Sequence, residues 1–211
     1  MLSVQDYRFY AVFKKQSVYD ESTDLSYFTF STTNFTDPAD SVYDVANGVA
    51  INIKTGVHLT GKISLPTYAP NGLPVIALGT GFKATENSSV NTEGFINRDI
   101  THIFWYRTDN KEPLLRTIPA NTFAGAVGET SVVNNVSPVK LKYIELPESL
   151  RVIENSAFFY INSLDINLIE LPSHLYLIGS SAFNGAFNKT ITGEKFNLPG
   201  SVYQINNNAF A

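Results

Sequence analysis

The chain has 211 residues, 44% of them hydrophobic and 16% charged, with a net charge of −4. That acidic, lightly charged balance argues against nucleic acid or an anionic membrane as partner. Cysteine is absent, which excludes disulfides and thiolate metal sites, and no stretch approaches the roughly 18 apolar residues of a membrane span.

The residues after Met1, "LSVQDYRFYAVF", lack the basic head and apolar run of a signal peptide. Alternation in "YRFYAVF" (7–13) and "LSYFTFST" (25–32) predicts two aromatic strands, and a third runs through "GVAINIK" (48–54). "DPAD" (37–40) and "ANG" (46–48) read as turns between them. Residues 1–58 are expected to form a β element, either a cap for the remainder of the chain or the end of a preceding β domain.

From residue 59 the sequence begins to repeat. "GKISLPTYAPNGLPVIALGTGF" (61–82) places Leu65-Pro66 ahead of Val75, Leu78 and Phe82, and "LLRTIPANTF" (114–123) keeps Leu115, Ile118 and Phe123 with Thr122 before the Phe. "ITHIFW" (100–105) would be the strand of that second copy. Three sharp copies come next: "LPESLRVIENSAF" (146–158), "LPSHLYLIGSSAF" (171–183) and "LPGSVYQINNNAF" (198–210). Their Leu-Pro pairs are 25 and 27 residues apart, the spacing of a stacked solenoid. Short runs ahead of each Leu-Pro, "YIEL", "LIEL" and "KFNL", predict strands ended by proline, with Ile144, Leu146, Ile169, Leu171, Phe196 and Leu198 inward. The aliphatic pair after each proline, three residues apart, predicts a tight helical turn or a bent coil. Ala-Phe then fills the interior, and no single coil could bury that ring alone. Five coils are counted, the first two enlarged by insertions near 84–97 and 125–138.

This skeleton resembles the BspA-like leucine-rich repeats, whose pattern has Leu-Pro, two aliphatics and Ala-Phe in this order. The resemblance implies a mainly β repeat solenoid over 59–211. It also implies adhesion or recognition at an external surface, bacterial or phage, and no catalysis. The position after Ala-Phe, often Cys in that family, holds Phe159, Asn184 and Ala211 here.

No H-E-x-x-H, G-x-S-x-G or Walker-type motif is present, and His58, His102 and His174 are spread over distant parts of the array. No catalytic, metal-binding or cofactor-binding residue is therefore assigned. A stacked sheet would present outward residues as a ladder with rungs about 4.8 Å apart. The candidate binding face is His102, Phe104, Tyr106, Tyr143, Glu145, Leu168, Glu170, Lys195 and Asn197, provided Ile103 and Trp105 point inward. Exposed aromatics beside carboxylates and amides suit a protein or glycan at a host or cell surface. Phe210, on the final coil, is expected to meet a neighbouring subunit or domain, which leaves a purely structural assembly role as the alternative. An accessory domain of a polysaccharide-active enzyme is the third reading.

Overall fold

A computed structural model describes residues 22–38, 45–79, 95, 99–107, 110–124, 140–187 and 197–211. The aromatic alternation of the first described segment produces β1 (Phe28–Phe35), entered through a 3-10 turn at Leu25–Tyr27. Asp24 caps that turn by accepting the Ser26 N–H at 2.8 Å. β1 pairs antiparallel with β2 (Val45–Ile53). The expected turn at 46–48 is instead part of β2. Gly48 is there for a different reason: a Cβ at this position would fall 2.5 Å from Ile76, so the next strand passes too close for a side chain. The expected strand over 7–13 lies outside the described residues.

The remaining strands are β3 (Thr60–Pro66), β4 (Val75–Leu78), β5 (Asp99–Tyr106), β6 (Thr117–Ile118), β7 (Tyr143–Ile144), β8 (Val152–Ile153), β9 (Leu177–Ile178) and β10 (Gln204–Ile205). They form two sheets. One has seven strands in the order β1-β2-β4-β6-β8-β9-β10, and the other has three, β3-β5-β7. Apart from the β1–β2 pair, every pairing is parallel, as coils wound in one direction require.

The aliphatic pairs do not make helical turns. Leu150 and Ile153 both point inward with no exposure, but the chain between them opens so that Ile153 ends a two-residue strand. Glu154 N then donates to Ile118 O at 2.9 Å, and Gly179 N to Ile153 O at 2.7 Å. Each coil's backbone groups are satisfied by its neighbours, where a helical turn would have kept those bonds local. The inner row of this sheet runs Phe30, Ile51, Leu78 and then Ile118, Ile153, Ile178 and Ile205.

The runs ahead of Leu-Pro were expected to be strands in all three sharp copies; the first is one, the second is not, and the third begins outside the described residues. At "LIEL" the backbone is diverted: Asp165 accepts the Asn167 N–H at 3.1 Å, and Leu168 N donates to Asp165 O at 3.0 Å. This side-chain-supported turn takes the groups a ladder would have used. Ile169 is buried as expected, but Leu198 is 47% exposed where an inward side chain was predicted. Its coil is the last in the stack, with no described coil beyond it. Phe196 lies outside the described residues.

Between the sheets lies one continuous core. Phe123, Phe158, Phe183 and Phe210 stack in a single row, with successive centroids 5.1, 4.9 and 5.4 Å apart and planes within 14° of parallel. Phe95 extends the row beyond Phe123 at 5.4 Å; Phe82, expected in the first coil, lies outside the described residues. Each fully buried ring stabilises the fold by about 2–3 kcal/mol. Thr122 stands in the Ala position, and its buried hydroxyl donates to Pro119 O at 2.8 Å. The turn before each Phe is also repeated. Asn121, Ser156, Ser181 and Asn208 all adopt left-handed backbone, φ 55–60°. Asn tolerates this conformation best among these residue types. The turn positions Ala and Phe so that Phe123 N, Phe158 N and Phe183 N donate to Ala157 O, Ala182 O and Ala209 O at 2.7–2.8 Å.

Candidate functional site

β5 places Ile103 and Trp105 inward, nearly without exposure, and His102, Phe104 and Tyr106 on the outer side, half-buried. Parallel pairing then brings Lys62, His102 and Tyr143 into one row across the three strands. The rings form a cluster: His102 to Phe104 at 6.2 Å and 5°, Phe104 to Tyr143 at 5.4 Å, and His102 to Tyr143 at 6.2 Å. Burial, with Lys62 and Lys142 adding repulsion, lowers the His102 pKa and favours the neutral ring. Burial together with the charges of Glu145 and Glu170 pushes the Tyr143 phenol up to about 12.

Glu145 does not stand out as a solvated rung. Its carboxylate accepts Arg107 Nη2 at 2.6 Å and the Trp105 N–H at 3.2 Å, while its carbonyl accepts the Trp105 indole N–H at 3.0 Å. Burial opposes the charge on Arg107, yet Glu145 and Glu112 outweigh it and its pKa is raised. The pair ties β5 to the coil of β7. Leu168 is 46% exposed in the Asp165 turn, and Glu170 is exposed beside it without strand geometry. Asn197 is exposed and outside any strand, and Lys195 lies outside the described residues. The structure thus gathers His102, Phe104 and Tyr143, with Tyr106 on the same side of β5, and does not gather the rest. His58 bridges to Asp99 at 3.1 Å and His174 is exposed, so the three histidines do not meet.

Sequence reasoning missed the outer face of the seven-stranded sheet. One row of paired residues crosses all seven strands: Ser31, Ala50, Ala77, Thr117, Val152, Leu177 and Gln204. The first six floor a groove of about 720 Å3. Its far side is the end of β1 and the segment to Pro38, which overhangs the sheet. Asp37 holds that overhang down, taking Arg151 Nε at 2.7 Å and Nη2 at 3.2 Å across 114 residues of sequence. Arg151 also donates to His174 O and lies 5.8 Å from the Tyr176 ring, which stacks on Tyr203 at 5.3 Å. Behind the latch, burial lowers the Arg116 pKa while Asp37 opposes that shift. The available signal was the residue just before each repeat Ile, small or neutral in every copy.

Among the described residues, no group of three or more His, Asp or Glu is placed to hold a metal, and no helix is long and apolar enough to cross a membrane.

Residues 134–211 match the family model for the BspA type leucine rich repeat region, in 6 copies. Among solved structures, the T. pallidum leucine-rich repeat protein is similar over 90% of this chain, with 22% sequence identity and a TM-score of 0.50. The match spans 66% of that protein's chain, and at this identity the likeness is one of fold. No curated protein matches the sequence. The fold is therefore a mainly β leucine-rich-repeat solenoid.

Proposed function

With residues 134–211 a BspA-type leucine-rich repeat region, we propose that the chain is a non-catalytic binding and adhesion module displayed on an external surface, bacterial or phage. Residues 59–211 form the repeat body and residues 1–58 its cap. The observation that carries this reading is the outward cluster of His102, Phe104 and Tyr143 on interlocked strands. Flat rings held by a rigid sheet lose little entropy on contact and offer apolar area with polar edges, which suits a protein or glycan surface. The partner class is read from a cell-adhesion assay with beads coated in the chain. Phe104→Ser/Tyr143→Ser is expected to reduce adhesion by roughly tenfold or more. Protease or glycosidase treatment of the cells separates the two partner types. Adhesion unchanged by the double substitution sinks this reading, and new reducing ends released from a polysaccharide would reinstate an enzyme.

A second reading, a joint with another subunit, is favoured by the last coil. Tyr203 is 77% exposed, Leu198 47%, Ile205 45% and Phe210 38%, all at one end of the stack. Self-association that is lost in Phe210→Glu supports it. A strictly monomeric chain with strong hydrogen-exchange protection over 198–210 counts against it.

A further inference from the structure

We propose that the groove beneath the β1 overhang binds a neutral, linear carbohydrate chain lying across the strands, along the stacking direction. This site is separate from the aromatic cluster on the other sheet.

The shape comes first. The floor crosses six strands, so at the usual rung spacing it is about 24 Å long. That length suits an extended chain of several units lying along the floor, lined on one side by the β1 end and the segment to Pro38. The chemistry of the walls then selects among chains. β2, β4, β6 and β8 are paired on both sides, so their backbone groups are used within the sheet and cannot extend it with a peptide strand. Recognition must come from side chains. These are hydroxyls and amides, with Ser31, Thr32, Thr36 and Asn52 prominent among them, above a floor of Ala50, Ala77, Val152 and Leu177.

Among the residues that line the groove, Glu154 carries the only formal charge. Glu154 accepts Thr117 Oγ1 at 3.3 Å and the Ala120 N–H at 3.1 Å, and Asp37 and Arg151 neutralise each other at the rim. Both donors to Glu154 are neutral and leave it its negative charge, so an anionic ligand would be repelled there and desolvated without a counter-charge. A sugar chain instead matches hydroxyl to hydroxyl along its edges and sets its C–H faces on the small apolar floor. The rung spacing is close to the length of one pyranose, so each coil meets one sugar.

The test is binding of the full chain to cello-, xylo-, laminari- and malto-oligosaccharides, by array and then by calorimetry. At least one series is expected to bind, with affinity rising with chain length until the groove is filled. Ser31→Trp, at an exposed strand position, is expected to weaken binding by roughly tenfold or more. Phe104→Ser/Tyr143→Ser should leave it unchanged, so the two sites fail independently. Methyl NMR of Ala50, Ala77, Val152 and Leu177 reads the site in the unaltered chain should Ser31→Trp not fold. The proposal is overturned if no series binds, if those methyls stay unmoved on saturation, or if an extended peptide shifts them where the sugars do not.

Discussion

The seven-stranded and three-stranded sheets are built from the same coils, yet one runs the length of the described stack and the other ends at β7. The difference lies in what anchors each strand. In the longer sheet β6, β8 and β9 each end on an Ile buried in the core, and β10 ends on the equivalent Ile205, exposed at the end of the stack. In the shorter sheet the strand sits in the variable stretch ahead of Leu-Pro, where one Asx-type turn at Asp165 is enough to divert it. A sheet in a solenoid persists only where the repeat fixes both an inward side chain and a free backbone. The outer faces diverge accordingly. The long sheet carries a continuous row of small or neutral residues, and the short one concentrates aromatic rings.

The sharpest way to break the comparison is through the core that both sheets share. Phe158→Ala is expected to destabilise the chain by about 3–5 kcal/mol, because its ring is fully buried between two others. Phe210→Ala removes the same ring from the open end, 38% exposed, and is expected to cost about 1 kcal/mol or less. Urea titration of the two variants separates a continuous row from scattered packing; equal losses would refute the row. Next in size is Glu145→Ala, expected to cost about 2 kcal/mol by removing the acceptor of Arg107 Nη2 and of the Trp105 N–H. Hydrogen exchange should quicken in β5 and β7 and not in β8 or β9, which locates the damage in the short sheet. The smallest effect is read by alkaline titration. Tyr143 has a raised phenol pKa in the folded chain, about 12 against 10.0. Its contribution to stability is therefore complete below pH 10 and is lost between pH 10 and 12, as the unfolded phenol ionises first. An absorbance midpoint near 10 for this tyrosine would show that the face is open to water.

Much of this was legible in the residues. Leu-Pro, the aliphatic pairs and Ala-Phe announced stacked coils, and Phe158, Phe183 and Phe210 lie in the one row that the pattern demands. The register of Ile103 and Trp105 was only a condition of the sequence reading, because alternation with a period of two fits either face until one is seen to be buried. The groove was not legible. Its floor is set by the residue before each Ile, and that residue faces outward only once the aliphatic pair is known to be a strand and not a turn. The Asp37–Arg151 latch joins residues 114 apart with no local pattern to announce it. Phe95 entered the row from within a polar insertion, where no repeat spacing pointed to it.

The left-handed residues at 121, 156, 181 and 208 give these four turns the same joint. A molecule with interchangeable joints can change its reach without inventing a new interface. Duplicating one copy in the gene would lengthen the trough by a single step of about 4.8 Å, and deleting one would shorten it equally. The length of chain that can be grasped would then be an inherited count of copies.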